Sequence, residues 1–263
     1  MDNVNKTLYI PLYGKACVSQ RGLILQDKTA ETIWEKEGFS LKGKAKSKWL
    51  AYNMGMRSAV FDRWVSEKMA QLPDAAVLHL GCGMDSRIHR IGSHAKLWFD
   101  VDFPEVIAER RKYFAETEQY RMLSSDLREK EWLDAVPGDT AIVVMEGVSM
   151  YLKQEELRNL MVRLSTRFSR LHILMDSYTV FAAKATKYKN PINEVGVTEV
   201  YGFDDPAMPV TGTNLSFVQE HSLTPESMIS QLPKREQGFF RLCFAGKAAS
   251  KIYRLYEYEK GAE

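Results

Sequence analysis

Ala76-Val77-Leu78-His79-Leu80-Gly81-Cys82-Gly83-Met84-Asp85 is an apolar run that stops at two glycines flanking one residue. A buried strand followed by Gly-X-Gly brings bare backbone close to a nucleotide-like ligand, because glycine supplies the tight turn and leaves no Cβ in the way. The turn lacks a third glycine: Ser86 stands where a dinucleotide fingerprint has one, which argues against a ligand with a pyrophosphate to hold.

Downstream, the apolar run Ala95-Lys96-Leu97-Trp98-Phe99-Asp100-Val101-Asp102 ends in two acids, at about the 20-residue offset expected of a ribose-binding carboxylate. Asp126 follows a third strand-like segment, Glu146 follows Thr140 to Met145, and Asp176 follows Leu171 to Met175. Any one of these acids reads equally well as a turn or helix-cap residue. Five segments ending in glycine or acid describe something more, the ligand crevice at the carboxyl ends of an open parallel sheet. Two cofactor classes carry an adenosine ribose whose diol suits such carboxylates: NAD(P) and S-adenosylmethionine.

Several short elements, in order, resemble the leucine carboxyl methyltransferase / polyketide O-methyltransferase family of S-adenosylmethionine enzymes. Leu80-Gly81-Cys82-Gly83-Met84-Asp85-Ser86-Arg87 is similar to its L-G-[AC]-G-[LM]-D-[TS]-R signature, and Phe99 to Ile107 to its E-V-D-x-P-x-V-I. Ser125-Asp126-Leu127-Arg128 resembles D-L-R, Met145 to Leu152 resembles E-G-V-x-M-Y-L, and Met56 to Asp62 resembles R-T-x-x-[FI]-D. With Tyr9 to Ala16 near the start, the likeness covers roughly residues 8 to 206.

The resemblance implies an α/β fold, a class I methyltransferase (Rossmann-like) sheet that is mostly parallel with an antiparallel last strand. It implies S-adenosyl-L-methionine as cofactor and assigns roles by position. Gly81 and Gly83 pass the methionine part, and Arg57 pairs with the cofactor carboxylate. Asp102, with Asp100 as second choice, takes the ribose hydroxyls. Asp126 with the Leu127 amide takes the adenine, and Glu146 lies near the sulfonium and ribose. Glu146 and Tyr151 are the candidates for a catalytic role. The sequence shows no clear general base, which suits a carboxylate or an already acidic phenol as methyl acceptor.

Composition agrees with a soluble cytoplasmic enzyme. The 36 basic and 34 acidic residues nearly balance, so no global field points to nucleic acid or a membrane surface. The three cysteines, Cys17, Cys82 and Cys243, form no spaced cluster, which argues against both a disulfide framework and a metal site. The lysines Lys42, Lys44, Lys46 and Lys48 read as a solvated surface, and His79, alternating with core residues, as a packed core histidine. A small-molecule acceptor is the partner expected, and the sequence carries no signal for an oligomeric state.

The chain divides into a helical N-terminal cap over residues 1–72 and a cofactor-binding core over 73–263, interrupted by a lid insertion at 177–214 that is rich in turn residues and aromatics. Strands are expected at about 76–81, 96–101, 120–124, 140–145 and 171–176, with helices between them at about 85–92, 104–117, 128–135 and 153–168. The runs 238–244 and 251–258 both read as strands and predict a terminal hairpin. The function expected is O-methylation of a carboxylate or phenolic hydroxyl on a small molecule of polyketide type. The alternatives are carboxyl methylation of a protein C-terminus, an NAD(P)-dependent oxidoreductase, or a non-catalytic S-adenosylmethionine-binding module.

Overall fold

The computed structural model describes residues 8–37, 46–186 and 199–261. The apolar runs form strands β1 (Ala76–Leu80), β2 (Leu97–Asp102), β3 (Tyr120–Ser124), β4 (Thr140–Met145) and β5 (Arg170–Tyr178), joined late in the chain by β6 (Ser216–Glu220) and β7 (Tyr253–Lys260). One sheet results, in the order β3-β2-β1-β4-β5-β7-β6. The first five strands run parallel, and β7 lies antiparallel to both β5 and β6. Every residue of β1 is buried, as a strand covered on both faces requires. The strand order reverses between β1 and β4, so the turn after β1 and the end of β4 flank the crevice where such sheets bind ligands.

Side chains alternate across the sheet and divide into two cores. Val77, Trp98, Ile142 and Leu174 face the N-terminal helices α1 (Tyr9–Gln20), α2 (Lys28–Glu37) and α3 (Lys48–Gln71). Leu78, Val101, Val143 and Ile173 face α6 (Gln154–Arg167), whose Leu157, Leu160, Met161 and Leu164 are all buried. Two short helices follow the crevice strands: α4 (Arg87–Ile91) after the glycine turn and α5 (Pro104–Arg110) after β2, the latter begun by a proline whose ring suits the first helical position.

The expected helix over 104–117 stops at Arg110, and the one over 128–135 is a single 3₁₀ segment, Glu131–Ala135. The strand expected at 238–244 is instead helix α9 (Lys234–Phe244). Its aromatic run has strand-like composition, but Glu236, Phe240 and Phe244 are spaced by four, and they meet Lys48, Tyr52 and Trp49 of α3 along one helical face. The antiparallel partner of β7 is therefore the earlier segment β6, an edge strand with all five residues exposed. Between β6 and β7 lie α8 (Glu226–Ile229), α9 and α10 (Lys247–Ser250).

The segment 177–214 carries helix α7 (Val180–Ala185) and a 3₁₀ turn, Met208–Val210. Its Phe203 and Val210 pack into the second core. Residues 187–198 of that segment, like Lys42 and Lys44, lie outside the described residues.

Candidate active site

A cavity of about 1010 Å³ opens over the carboxyl ends of β1, β2 and β4. One end is built from the glycine turn and the strand-end acids. Gly81 and Gly83 adopt φ of 61° and 50°, in the left-handed region that glycine enters without strain. A Cβ on Gly81 would lie 2.4 Å from Val148 Cγ2, so the backbone passes there only because no side chain is present.

Asp102, the last residue of β2, accepts from the Gly83 amide (2.7 Å) and from its neighbour Phe103 (2.8 Å), and it lines the cavity. Each of its oxygens keeps a second lone pair for a hydroxyl donor. Burial pushes its carboxyl up, and the two amides pull it back only in part, to about 6. Asp126 and Leu127 line the same end. Asp126 is gripped by the Arg128 side chain and amide, which lower its carboxyl.

Asp100 is on the same face of β2 as Asp102 but one pleat deeper, and it is not among the cavity-lining residues. It is wholly buried and takes hydrogen bonds from Arg110, Tyr120 and Trp98. Of the two acids on this face of β2, Asp102 meets the cavity and Asp100 does not.

Arg57 reaches the cavity from the middle of α3. Its Nε donates to Glu146 (3.1 Å), the residue after β4, and its Nη1 to Asp176 (2.8 Å), which lies inside β5 because that strand runs on past the expected end at 176 to Tyr178. Glu146 also accepts from Arg87, and despite burial the cations Arg57, Arg87 and Lys15 hold its carboxyl down to about 2. So held, Glu146 is a poor proton acceptor and a good clamp for Arg57. Asp176, which burial raises to about 6 against the pull of Arg57, completes the clamp and accepts from the Gly147 amide (2.7 Å).

Lys15 is the residue the sequence reading passed over. It comes from α1, is 2 % exposed, pairs with Asp85 (2.8 Å) and lines the cavity beside the glycine turn. The available signal was a lysine between Leu12 and Ala16 on the buried side of a helix. The other end of the cavity is largely apolar: Ile10, Leu50, Met54, Met150 and Phe244 contribute, together with Asn53, Tyr151, Tyr178 and Tyr253. Much of this wall comes from the segment between β6 and β7: Leu223 from the loop after β6, Cys243 from α9, Ala248 from α10 and Ile252 from the turn before β7. The strand reading of 238–244 hid its helices.

A family model described as leucine carboxyl methyltransferase matches residues 6–165. The chain belongs to that family. Leucine carboxyl methyltransferase-family proteins use S-adenosylmethionine, and this chain is an S-adenosylmethionine-dependent methyltransferase. It is 28 % identical over 209 residues to the tetracenomycin polyketide synthesis O-methyltransferase TcmP of Streptomyces glaucescens, covering 78 % of this chain and 77 % of that one. It is 26 % identical over 186 residues to the S-adenosyl-L-methionine-dependent methyltransferase dpfgK of Gibberella zeae, covering 64 % and 62 % of the two chains. Among solved structures, magnesium protoporphyrin IX methyltransferase (ChlM) of Synechocystis PCC 6803 with bound SAH superposes with a TM-score of 0.54 at 14 % identity, over 94 % of this chain and all of that one (100 %), which shows the shared fold.

The residues fit the family's cofactor. A glycine turn without side chains, an acid with spare lone pairs at the end of β2, and two cations, Lys15 and Arg57, at the cavity wall match in type the methionine backbone, the ribose and the carboxylate. No helix among the described residues is long and apolar enough to cross a membrane.

Proposed function

We propose that this methyltransferase transfers a methyl group to an oxygen of a small, largely apolar acceptor that is already acidic, an acidic phenol or a carboxylic acid. The observation that carries this reading is the apolar wall continuous with the cofactor end of the cavity. That wall offers phenols, an amide and a thiol, and its charged neighbours, Arg57 and Glu146, are engaged with one another.

In this reading Arg57 and Lys15 hold the cofactor carboxylate, Gly81 and Gly83 pass the methionine backbone, Asp102 takes the ribose, and Asp126 with the Leu127 amide takes the adenine. Glu146 orients Arg57. When bound, the cofactor supplies a methyl sulfonium, which is electrophilic enough that the acceptor needs alignment and exclusion of water more than activation. The chain's own contribution is to supply that dry alignment. Tyr151, Tyr178 and Tyr253 orient the acceptor oxygen, while Leu50, Met54 and Phe244 surround its apolar body. Residues 1–72 act as a cap and 177–214 as a lid over this end, with the helices before β7 forming the facing wall.

The similarity to TcmP supports an acceptor of polyketide type. Transfer of labelled methyl to a panel of aromatic phenols, aromatic acids and peptides ending in leucine tests the reading. Labelling of the small aromatic compounds and none of the peptides is expected, and preferential labelling of the peptides would sink it.

A further inference from the structure

The glycine turn is held from beneath by a side chain with no part in the roles above. Arg110, the last residue of α5, is wholly buried. Its Nη1 donates to two carbonyls of the turn, Gly83 O (2.8 Å) and Asp85 O (2.7 Å), while its Nη2 donates to Asp100. Asp100 is itself fixed by the Trp98 indole (2.9 Å) and the Tyr120 hydroxyl, with the His79 ring 3.3 Å away. The guanidinium lies over the Phe114 ring, 4.1 Å from its centroid.

A trans peptide points its N–H opposite to its C=O. Pinning the Gly83 and Asp85 carbonyls on Arg110 therefore turns the Met84 and Ser86 amides away from it, and fixes both peptide planes of a turn whose glycines would otherwise flex. Stability alone is a weak reason for this arrangement. A buried ion pair commonly gains little over apolar residues of the same shape, and Arg110 Nε has no partner among the described residues.

We propose that Arg110, anchored by Asp100, is a positioning residue for the cofactor: it sets the shape of the glycine turn before the cofactor arrives. In this assignment Asp100 serves binding through Arg110, whereas Asp102 meets the ligand.

The test compares wild type, Arg110→Lys, Arg110→Met and, as a control of matched Tm loss, Leu164→Ala in the opposite core. The measurements are calorimetric affinity for S-adenosylhomocysteine, amide hydrogen exchange of residues 81–86 without ligand, and kcat at saturating cofactor. Lysine keeps the charge beside Asp100 but, as a point donor, does not span two carbonyls and a carboxylate as the planar fork does. Arg110→Lys is expected to weaken S-adenosylhomocysteine binding about three- to tenfold and Arg110→Met more than about tenfold, with kcat held within about twofold. The Met84 and Ser86 amides should exchange faster while β1 stays protected. Wild-type affinity and exchange in Arg110→Lys would overturn the proposal, as would equal weakening in Leu164→Ala. If neither Arg110 variant folds, the arginine serves the fold at large and the proposal fails.

Discussion

Asp100 and Asp102 are alike in sequence and opposite in circumstance. A strand returns to the same face every second residue, so both acids leave β2 toward the N-terminal helices, about 6.6 Å apart along the strand. That step separates a carboxylate locked under the turn from one at the cavity wall. Asp102→Ala should weaken cofactor binding by roughly 1–3 kcal/mol, measured by calorimetry, with Tm little changed. The pH dependence has two opposed signs. Burial raises the folded carboxyl to about 6, so folding takes up a proton, and the stability this brings is present below the unfolded value and lost as pH rises through 6. Binding needs the ionised form as acceptor, so S-adenosylhomocysteine affinity should decline as pH falls from about 7.5 through the folded pKa, and Asp102→Asn should flatten much of that decline. A flat wild-type profile would contradict the assignment. The sequence spacing brought attention to this strand end, but a two-residue period does not distinguish depth, and only the arrival of Arg110 from α5 does so.

At the scale of elements, the apolar runs of β1, β2, β4 and β5 were legible because each is short, near-continuously apolar and closed by glycine or acid, as a parallel strand buried on both faces requires. The run 238–244 was misread because aromatic residues suit strands and helices alike, and its period-four contacts run to Trp49 and Tyr52, far away in sequence. The glycine turn is the element most exposed to test. At Gly81 an alanine meets two separate penalties, a left-handed φ and the Val148 methyl 2.4 Å from its Cβ. Gly81→Ala should lower the unfolding free energy by roughly 2–4 kcal/mol. Adding Val148→Ala should restore the steric part and leave the backbone part. Chemical denaturation of the single and double variants measures both, and full recovery in the double variant would show that the φ carries no strain.

Across the whole molecule, buried charges join what the sequence keeps apart. Lys15 on α1 pairs with Asp85, and Arg90 with Asp27 and Asp62; Arg87 bridges Asp62 on α3 and Glu146 after β4, and Arg57 continues to Asp176 on β5. The partners are separated by up to 119 positions, which is why no local pattern announced them. Because these charges are removed from water, each depends on the others for solvation. Arg87→Met should therefore cost about 3–5 kcal/mol, far more than a surface pair. Urea unfolding gives the value, and a loss under about 1 kcal/mol would mean that water reaches the network.

Trp49 gives the cavity an optical reporter. Its indole stacks on Phe244 at 5.6 Å and 11°, with the Lys48 ammonium 4.5 Å from its ring, while Phe244 faces the apolar end of the cavity. Trp64, Trp98 and Trp132 are shut inside the cores, and the half-buried Trp34 packs on Tyr13 outside the cavity lining, so an acceptor in the cavity does not touch them. Emission from Trp49 should consequently shift when an acceptor displaces water from the Phe244 wall and stay nearly still when the cofactor alone binds at the far end. The signal should vanish in Trp49→Phe. An unlabelled protein then reads out the filling of its two half-sites separately, so the order in which they load can be followed in real time by stopped-flow mixing.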